Sequence, residues 1–254
     1  MFDKMESYIF EMSIGRIPTV VTTEHHEVLS FWKKSGIQNA DLIHVDGHSD
    51  MYDKLPEDLK GLQIANFICP AFHSGIVSSI YWFNPHSPWN KCKLMDFGSR
   101  EGENGRKRLS TQLTDRVIKW VGEDSEYVYV PKMGKAILPL KMKLERSFIL
   151  DIDLDAFSCV QARRVQNSLP NYDCENGWRE RLLETERFLR RFKKPDLITL
   201  TRSQGEDSTA RTPYRVFNSE HVNLAHKGYN TYVPPEKVDE VQGAVITALE
   251  DLYF

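Results

Sequence analysis

The stretch Leu42-Ile43-His44-Val45-Asp46-Gly47-His48-Ser49-Asp50 runs from a short apolar segment straight into alternating metal-ligand residues. A run of this length, rich in branched residues and closed by Gly and Ser, reads as a buried strand. Asp46, His48 and Asp50 then follow at or just past its end. A second stretch, Phe148-Ile149-Leu150-Asp151-Ile152-Asp153-Leu154-Asp155, repeats the design. Period-two spacing places Asp151 and Asp153 on one side of an extended chain. Carboxylates and imidazoles brought together inside a fold repel one another or lose solvation at heavy cost unless cations neutralise them. The two stretches therefore read as two halves of one metal site.

Further strands are expected at Pro18–Val21, Ile76–Ile80, Tyr127–Val130 and Leu197–Leu200, where apolar, branched residues recur. Helical segments lie between several of them. The clearest carries Trp178, Leu182, Thr185, Leu189 and Phe192 on one face and ends before Pro195. A last helix starts near Pro235 and is expected to bury Val238, Val241, Val245, Ala248, Leu249 and Leu252. Strands alternating with helices predict an α/β fold with a mainly parallel central sheet. In open sheets of this kind ligands bind beyond the carboxyl ends of the strands, which is where Asp46 and Asp151 fall. The less periodic segments Asn84 to Arg108 and Arg202 to Arg211 are candidate loops over that edge.

At 254 residues, 41% hydrophobic and 27% charged, the chain has the composition of one compact domain, residues 1–254. A net charge of −3 gives no electrostatic case for nucleic acid. Cys69, Cys92, Cys159 and Cys174 form neither a CxxC pair nor a zinc-finger spacing, so free thiols in a reducing compartment are expected. The first residues lack an uninterrupted apolar segment, and no later run has the length to span a bilayer, which predicts a cytoplasmic protein without a membrane partner.

Asp46-Gly47-His48-Ser49-Asp50 resembles the DxHxD element of arginases and related ureohydrolases, and Asp151-Ile152-Asp153 resembles their DxD element. Thr23-Glu24-His25-His26-Glu27 resembles the segment that supplies their first histidine, and the order of the three matches. Together with Leu154-Asp155, these stretches look like the divergent arginase-related family that includes peptide arginases of ribosomal natural-product pathways. The resemblance implies an arginase-like three-layer fold and two Mn²⁺ ions. It implies one ion on His25, Asp46, Asp50 and Asp151, and the other on His48, Asp46, Asp151 and Asp153. Oxygen-rich sites with imidazoles suit Mn²⁺, and two ions activate a shared water. The implied activity is hydrolysis of arginine side chains in a peptide to ornithine residues and urea.

Departures from the family pattern narrow the substrate. Free-arginine arginases carry an Asn- and Ser-containing loop after DxHxD that receives the amino acid's backbone groups, whereas Met51-Tyr52-Asp53-Lys54-Leu55-Pro56 stands here. Free arginine is therefore expected to be a poor substrate. Asp155 is followed by Ala156-Phe157 rather than the usual ending and has no assigned place. Of the two histidines, His25 follows the acidic residue as the family pattern requires, which leaves His26 to support a ligand or face the substrate. Asp50 is a candidate to hold the nucleophile by a hydrogen bond, and His73 is a candidate proton shuttle that also fits a structural or rim position. Glu206 is a candidate partner for the guanidinium, with a solvated loop carboxylate as the plainer reading. Tyr81, Trp82, Phe83 and Trp89 fit either a peptide groove or core, and Arg187, Arg190, Arg191, Lys193 and Lys194 fit a solvated helix face. Two other functions stay open: a deacetylase-like amidohydrolase, and a non-catalytic metal-stabilised peptide-binding protein.

Overall fold

The computed structural model describes residues 9–47, 50, 67–83, 85, 108–114, 117–123, 144, 146–159, 177–204 and 233–254. In chain order its elements are β1 (Phe10–Ile14), β2 (Ile17–Thr22), α1 (Val28–Ser35), β3 (Ala40–Val45), α2 (Ile68–His73) and β4 (Val77–Phe83). There follow β5 (Arg108–Thr114), β6 (Val117–Glu123), β7 (Phe148–Asp153), α3 (Trp178–Leu189), β8 (Leu197–Thr201) and α4 (Pro235–Tyr253). Short 3-10 turns at His25–Glu27 and Leu154–Ala156 follow β2 and β7.

Among the described residues eight strands form one sheet in the order β1-β2-β8-β7-β3-β4-β6-β5. β2, β8, β7, β3 and β4 run parallel, while β1 and the β6–β5 pair extend the sheet antiparallel at its two sides. The fold is thus α/β with a mixed, mostly parallel sheet. Because the five central strands share one direction, Thr22, Thr201, Asp153, Asp46 and Phe83 all emerge at one edge.

Side-chain alternation splits the core in two. Ile43, Val45, Phe148, Leu150, Ile198 and Leu200 pack on one face beneath α3 and α4, with Trp178, Leu182, Val241 and Leu249 among the contacts. Leu42, Ile80, Trp82, Ile149 and Leu197 pack on the other with Val28, Leu29 and Trp32 of α1 and Ile68 and Ala71 of α2. Helices on both sides make three layers. Every residue of β3, β7 and β8 is buried, which explains why parallel strands covered on both faces read as continuous apolar runs. On the α1 face that run is interrupted by His44, Asp151, Asp153, Thr199 and Thr201, all buried.

α4 buries Tyr253 where the periodicity suggested Leu252, which is only partly covered. The expected strand at Ile76–Ile80 is displaced to Val77–Phe83, so Tyr81, Trp82 and Phe83 belong to a buried strand. The five basic residues from Arg187 to Lys194 are exposed, as a solvated face requires. β1 joins β2 through Gly15 and Arg16, both at positive φ (51° and 68°), the two-residue hairpin geometry that matches strand twist. A Cβ on Gly15 would sit 2.3 Å from the Tyr253 carbonyl oxygen, so glycine is needed for space as well as conformation. The strand expected at Tyr127–Val130 lies outside the described residues. Among the described residues no helix is long and apolar enough to cross a membrane.

Candidate metal centre

The carboxyl edge of β2, β8, β7 and β3 gathers the polar residues that interrupt the α1-face core. His25 is delivered by the 3-10 turn that leaves β2. The Glu27 carboxylate accepts from the Glu24 N–H at 3.0 Å, and the Glu27 N–H donates to the Glu24 carbonyl at 3.1 Å, closing the turn. The imidazole is 2% exposed and lies against Phe67, with ring centroids 4.6 Å apart. Phe67 also reaches His44, at 6.4 Å, and Trp32, at 5.6 Å, and forms an apolar wall beside both imidazoles.

The His25 Nδ1 side faces three carboxylates: Asp50 Oδ2 at 2.9 Å, Asp153 Oδ2 at 3.0 Å and Asp46 Oδ2 at 3.1 Å. Nδ1 is buried, yet it forms no hydrogen bond with any of them. Its other nitrogen, Nε2, is 2.9 Å from Asp151 Oδ2. His44 repeats this arrangement from β3, with Nδ1 2.8 Å from Asp151 Oδ2 and Nε2, buried without a hydrogen bond, 3.3 Å from Asp46 Oδ2. Thr199 donates to Asp151 Oδ1 at 2.7 Å and accepts from the Trp32 indole N–H at 3.2 Å.

The neighbouring carboxylates are held from strand ends. Asp46 donates its N–H to the Phe83 carbonyl at 3.1 Å and accepts the Trp82 indole N–H on its own carbonyl at 2.8 Å. Ser203 donates to Asp153 Oδ2 at 2.6 Å, and Asp153 Oδ1 accepts from the Asp155 N–H at 3.0 Å. Asp155, 2% exposed, accepts from the Gly47 N–H at 3.3 Å. Asp50 sits at φ 50°, a left-handed backbone that aspartate tolerates.

Crowding sets the proton affinities. Burial, then the charges of Asp155, Asp50 and Asp153, push Asp46 up to about 7 against the pull of His25. Burial and the Asp155 charge likewise raise Asp153. Burial pulls His25 down, but the Asp151 and Asp153 charges outweigh it and hold the ring well above its ordinary value. His44, also pulled down by burial, is raised by its hydrogen bond to Asp151 and by Asp46. Asp151 is the exception: burial opposes its charge, yet His25 and His44 hold it well below the usual carboxylate range. Such a cluster retains protons that cations can displace. The donor set fits cations: oxygen and imidazole ligand atoms of His25, His44 and Asp46 lie within 4.8 Å of one another, and so do those of Asp46, Asp153 and Asp155.

Of the residues singled out from sequence, the structure brings together His25, Asp46, Asp50, Asp151 and Asp153. His26 occupies the same turn but stays outside the cluster, half-buried, with its imidazole pushed down by burial and then further by His25, against the opposing charge of Glu27. His48 and Glu206, the side chain of His73, and the segment from Met51 lie outside the described residues. Sequence reasoning passed over His44, Thr199, Trp32 and Ser203 and left Asp155 without a role. His44 carried a usable signal, since an imidazole inside an apolar strand, on the same side of it as Asp46, faces the same neighbours.

The class defined by these features is an α/β protein with a buried His/Asp cluster, suited to metal binding, at the carboxyl edge of a mostly parallel sheet. No protein-family model, curated protein or solved structure matches the chain.

Proposed function

We propose that the protein is a dinuclear manganese hydrolase that converts arginine side chains within a peptide to ornithine residues, releasing urea. The observation that carries this reading is the convergence of Asp46, Asp50 and Asp153 on the hydrogen-bond-free Nδ1 of His25, at a sheet edge suited to ligand binding. The ligands for two cations are drawn from His25, Asp46, His48, Asp50 and the Asp151–Asp155 stretch. When bound, the cations would lower the pKa of a shared water and neutralise negative charge that develops during attack.

The chain's own groups do the rest. Asp50, at the end of the DxHxD stretch, would accept a hydrogen bond from the attacking water and so help to aim its lone pair at the planar guanidinium carbon. Addition of water and cleavage of the bond from that carbon to the side-chain nitrogen yield urea, and the departing ornithine amine takes up a proton, for which His73 is the candidate donor. Phe67 and Trp32 keep bulk water from the inner side of the site, which strengthens charge interactions within it. A peptide substrate is favoured over the free amino acid because Met51–Pro56 replaces the loop that would receive the free α-amino and α-carboxylate groups.

Incubating Mn²⁺-loaded protein separately with free arginine and with arginine-containing peptides, and measuring urea and peptide mass, tests the proposal. Conversion of peptide arginine with little turnover of free arginine is the expected result. Absence of urea from every peptide overturns it. One observation favours a second reading: His25, His44 and Asp46 also form a compact three-residue set for a single cation, the ligand number of mononuclear zinc hydrolases. Acetate release from an acetylated amine, with one cation per chain, would select that reading.

A further inference from the structure

We infer that Asp151 is a positioning carboxylate and not a cation ligand, and that the carboxylates serving the metal site from this stretch are Asp153 and Asp155. The inference rests on the two-cation reading above and reassigns its ligands from geometry.

The two nitrogens of an imidazole point to opposite sides of the ring. His25 turns Nδ1 toward Asp46, Asp50 and Asp153, and turns Nε2 toward Asp151 Oδ2 at 2.9 Å. Ligand atoms at right angles around a cation with bonds of about 2.1 Å lie about 3 Å apart. The three oxygens stand at that spacing from Nδ1. Asp151 lies beyond the far side of the ring and cannot share a cation with Nδ1. Its place is the outer one in a carboxylate–histidine–metal arrangement, where the carboxylate fixes the tautomer and aims the ring.

The hydrogen bonds around Asp151 agree. Oδ1 accepts from Thr199, and Oδ2 is within hydrogen-bond distance of both His25 and His44. The sheet register explains this saturation: Asp151 pairs with His44 on one side and Thr199 on the other, whereas Asp153 lies two residues further on, at the strand end opposite Thr201. Two residues of strand are about 6.6 Å, enough to separate a carboxylate inside the sheet from one at its edge.

Asp155 fills the vacated role. The 3-10 turn after β7, capped by Asp153, brings Asp155 back beside Asp46 and Asp153, with one oxygen from each within 4.8 Å of the others. Asp46 and Asp153 then lie beside both Nδ1 of His25 and Asp155. On one side they face Nδ1 of His25, a buried nitrogen aimed into the cluster without a hydrogen bond, and on the other Asp155.

The test compares Asp151→Asn with Asp155→Asn by equilibrium dialysis against Mn²⁺, with metal counted per folded chain. Expected for the wild type are two equivalents; for Asp155→Asn, loss of one; for Asp151→Asn, two equivalents held about 10–100-fold more weakly, the range for loss of an outer partner. Two equivalents at wild-type affinity in Asp155→Asn, or loss of an equivalent in folded Asp151→Asn, overturns the assignment. Should Asp151→Asn not fold, nitrogen NMR of the wild-type imidazoles during Zn²⁺ titration decides. A shift at Nδ1 of His25 with Nε2 still protonated supports the assignment, and metal at Nε2 overturns it. Two bound equivalents without urea production would defeat the proposed reaction and leave the ligand assignment standing.

Discussion

Replacing Thr199 with valine isolates the hydroxyl that links Trp32 to Asp151. The side chain is fully buried and valine keeps its shape, so the change removes a donor without opening a cavity. Two interactions go: the 2.7 Å hydrogen bond to the Asp151 carboxylate, worth about 1.5–3 kcal/mol as a bond to a charged group, and the acceptor for the Trp32 indole N–H, whose buried orphaning costs about 1–3 kcal/mol. The added methyl returns about 0.8 kcal/mol. The net loss is about 3 kcal/mol, which for a chain of this size lowers Tm by about 6–12 °C. Thr199→Ser retains the hydroxyl and gives up one methyl, for about 1 kcal/mol. Thermal unfolding of the metal-free proteins in one buffer measures both. Thr199→Val matching the wild type, or proving more stable than Thr199→Ser, would refute the claim that this hydroxyl holds Asp151 in place.

Three other outcomes are expected. Gly15→Ala forces a Cβ against the Tyr253 carbonyl at positive φ and should cost about 1–3 kcal/mol in denaturant unfolding, so unchanged stability would contradict the packing described. Phe188→Ala removes a ring stacked at 4.4 Å on Phe83 and should cost about 3–5 kcal/mol while leaving the number of bound Mn²⁺ ions unaltered, which unfolding curves and metal counting check together. Mn²⁺ should stabilise the protein by about 2.7 kcal/mol for each site filled at a hundred times its Kd and release protons on binding. Burial and the neighbouring carboxylates push Asp46 up to about 7, so it holds more proton to be displaced at pH 6 than at pH 8. Calorimetry in buffers of different ionisation enthalpy should therefore find more protons released at pH 6, and equal release at both would count against Asp46 as a ligand.

Sequence pattern located the central strands because burial on both faces leaves a mostly apolar run, as in Leu42–Val45, Phe148–Leu150 and Leu197–Leu200. It located α3 and α4 because a helix with one buried side repeats every three to four residues. β1 and β5 escaped because edge strands lack that two-sided apolar signal: Phe10, Glu11 and Met12 mix polarity, and Arg108–Thr114 is largely polar. In the site, spacing revealed carboxylates on one side of β7 but not which of them reaches the edge. That depends on where the strand stops relative to β3 and β8, a property of register between segments a hundred residues apart. The hydroxyls of Thr199 and Ser203 were unreadable for the same reason, since an ordinary threonine or serine acquires meaning only from its cross-strand neighbour.

The ligand-type residues arrive from the ends of β2, β3 and β7, and β8 supports them from between, so the cluster draws on positions from His25 to Ser203. No short piece of the chain contains it. Contacts of such sequence separation form only after long loops have closed, which places completion of this cluster late in folding. A cation bound there recognises the assembled sheet and has little hold on earlier species. Metal should accordingly prolong the lifetime of the native protein by slowing its unfolding, while the rate at which the chain folds stays nearly constant.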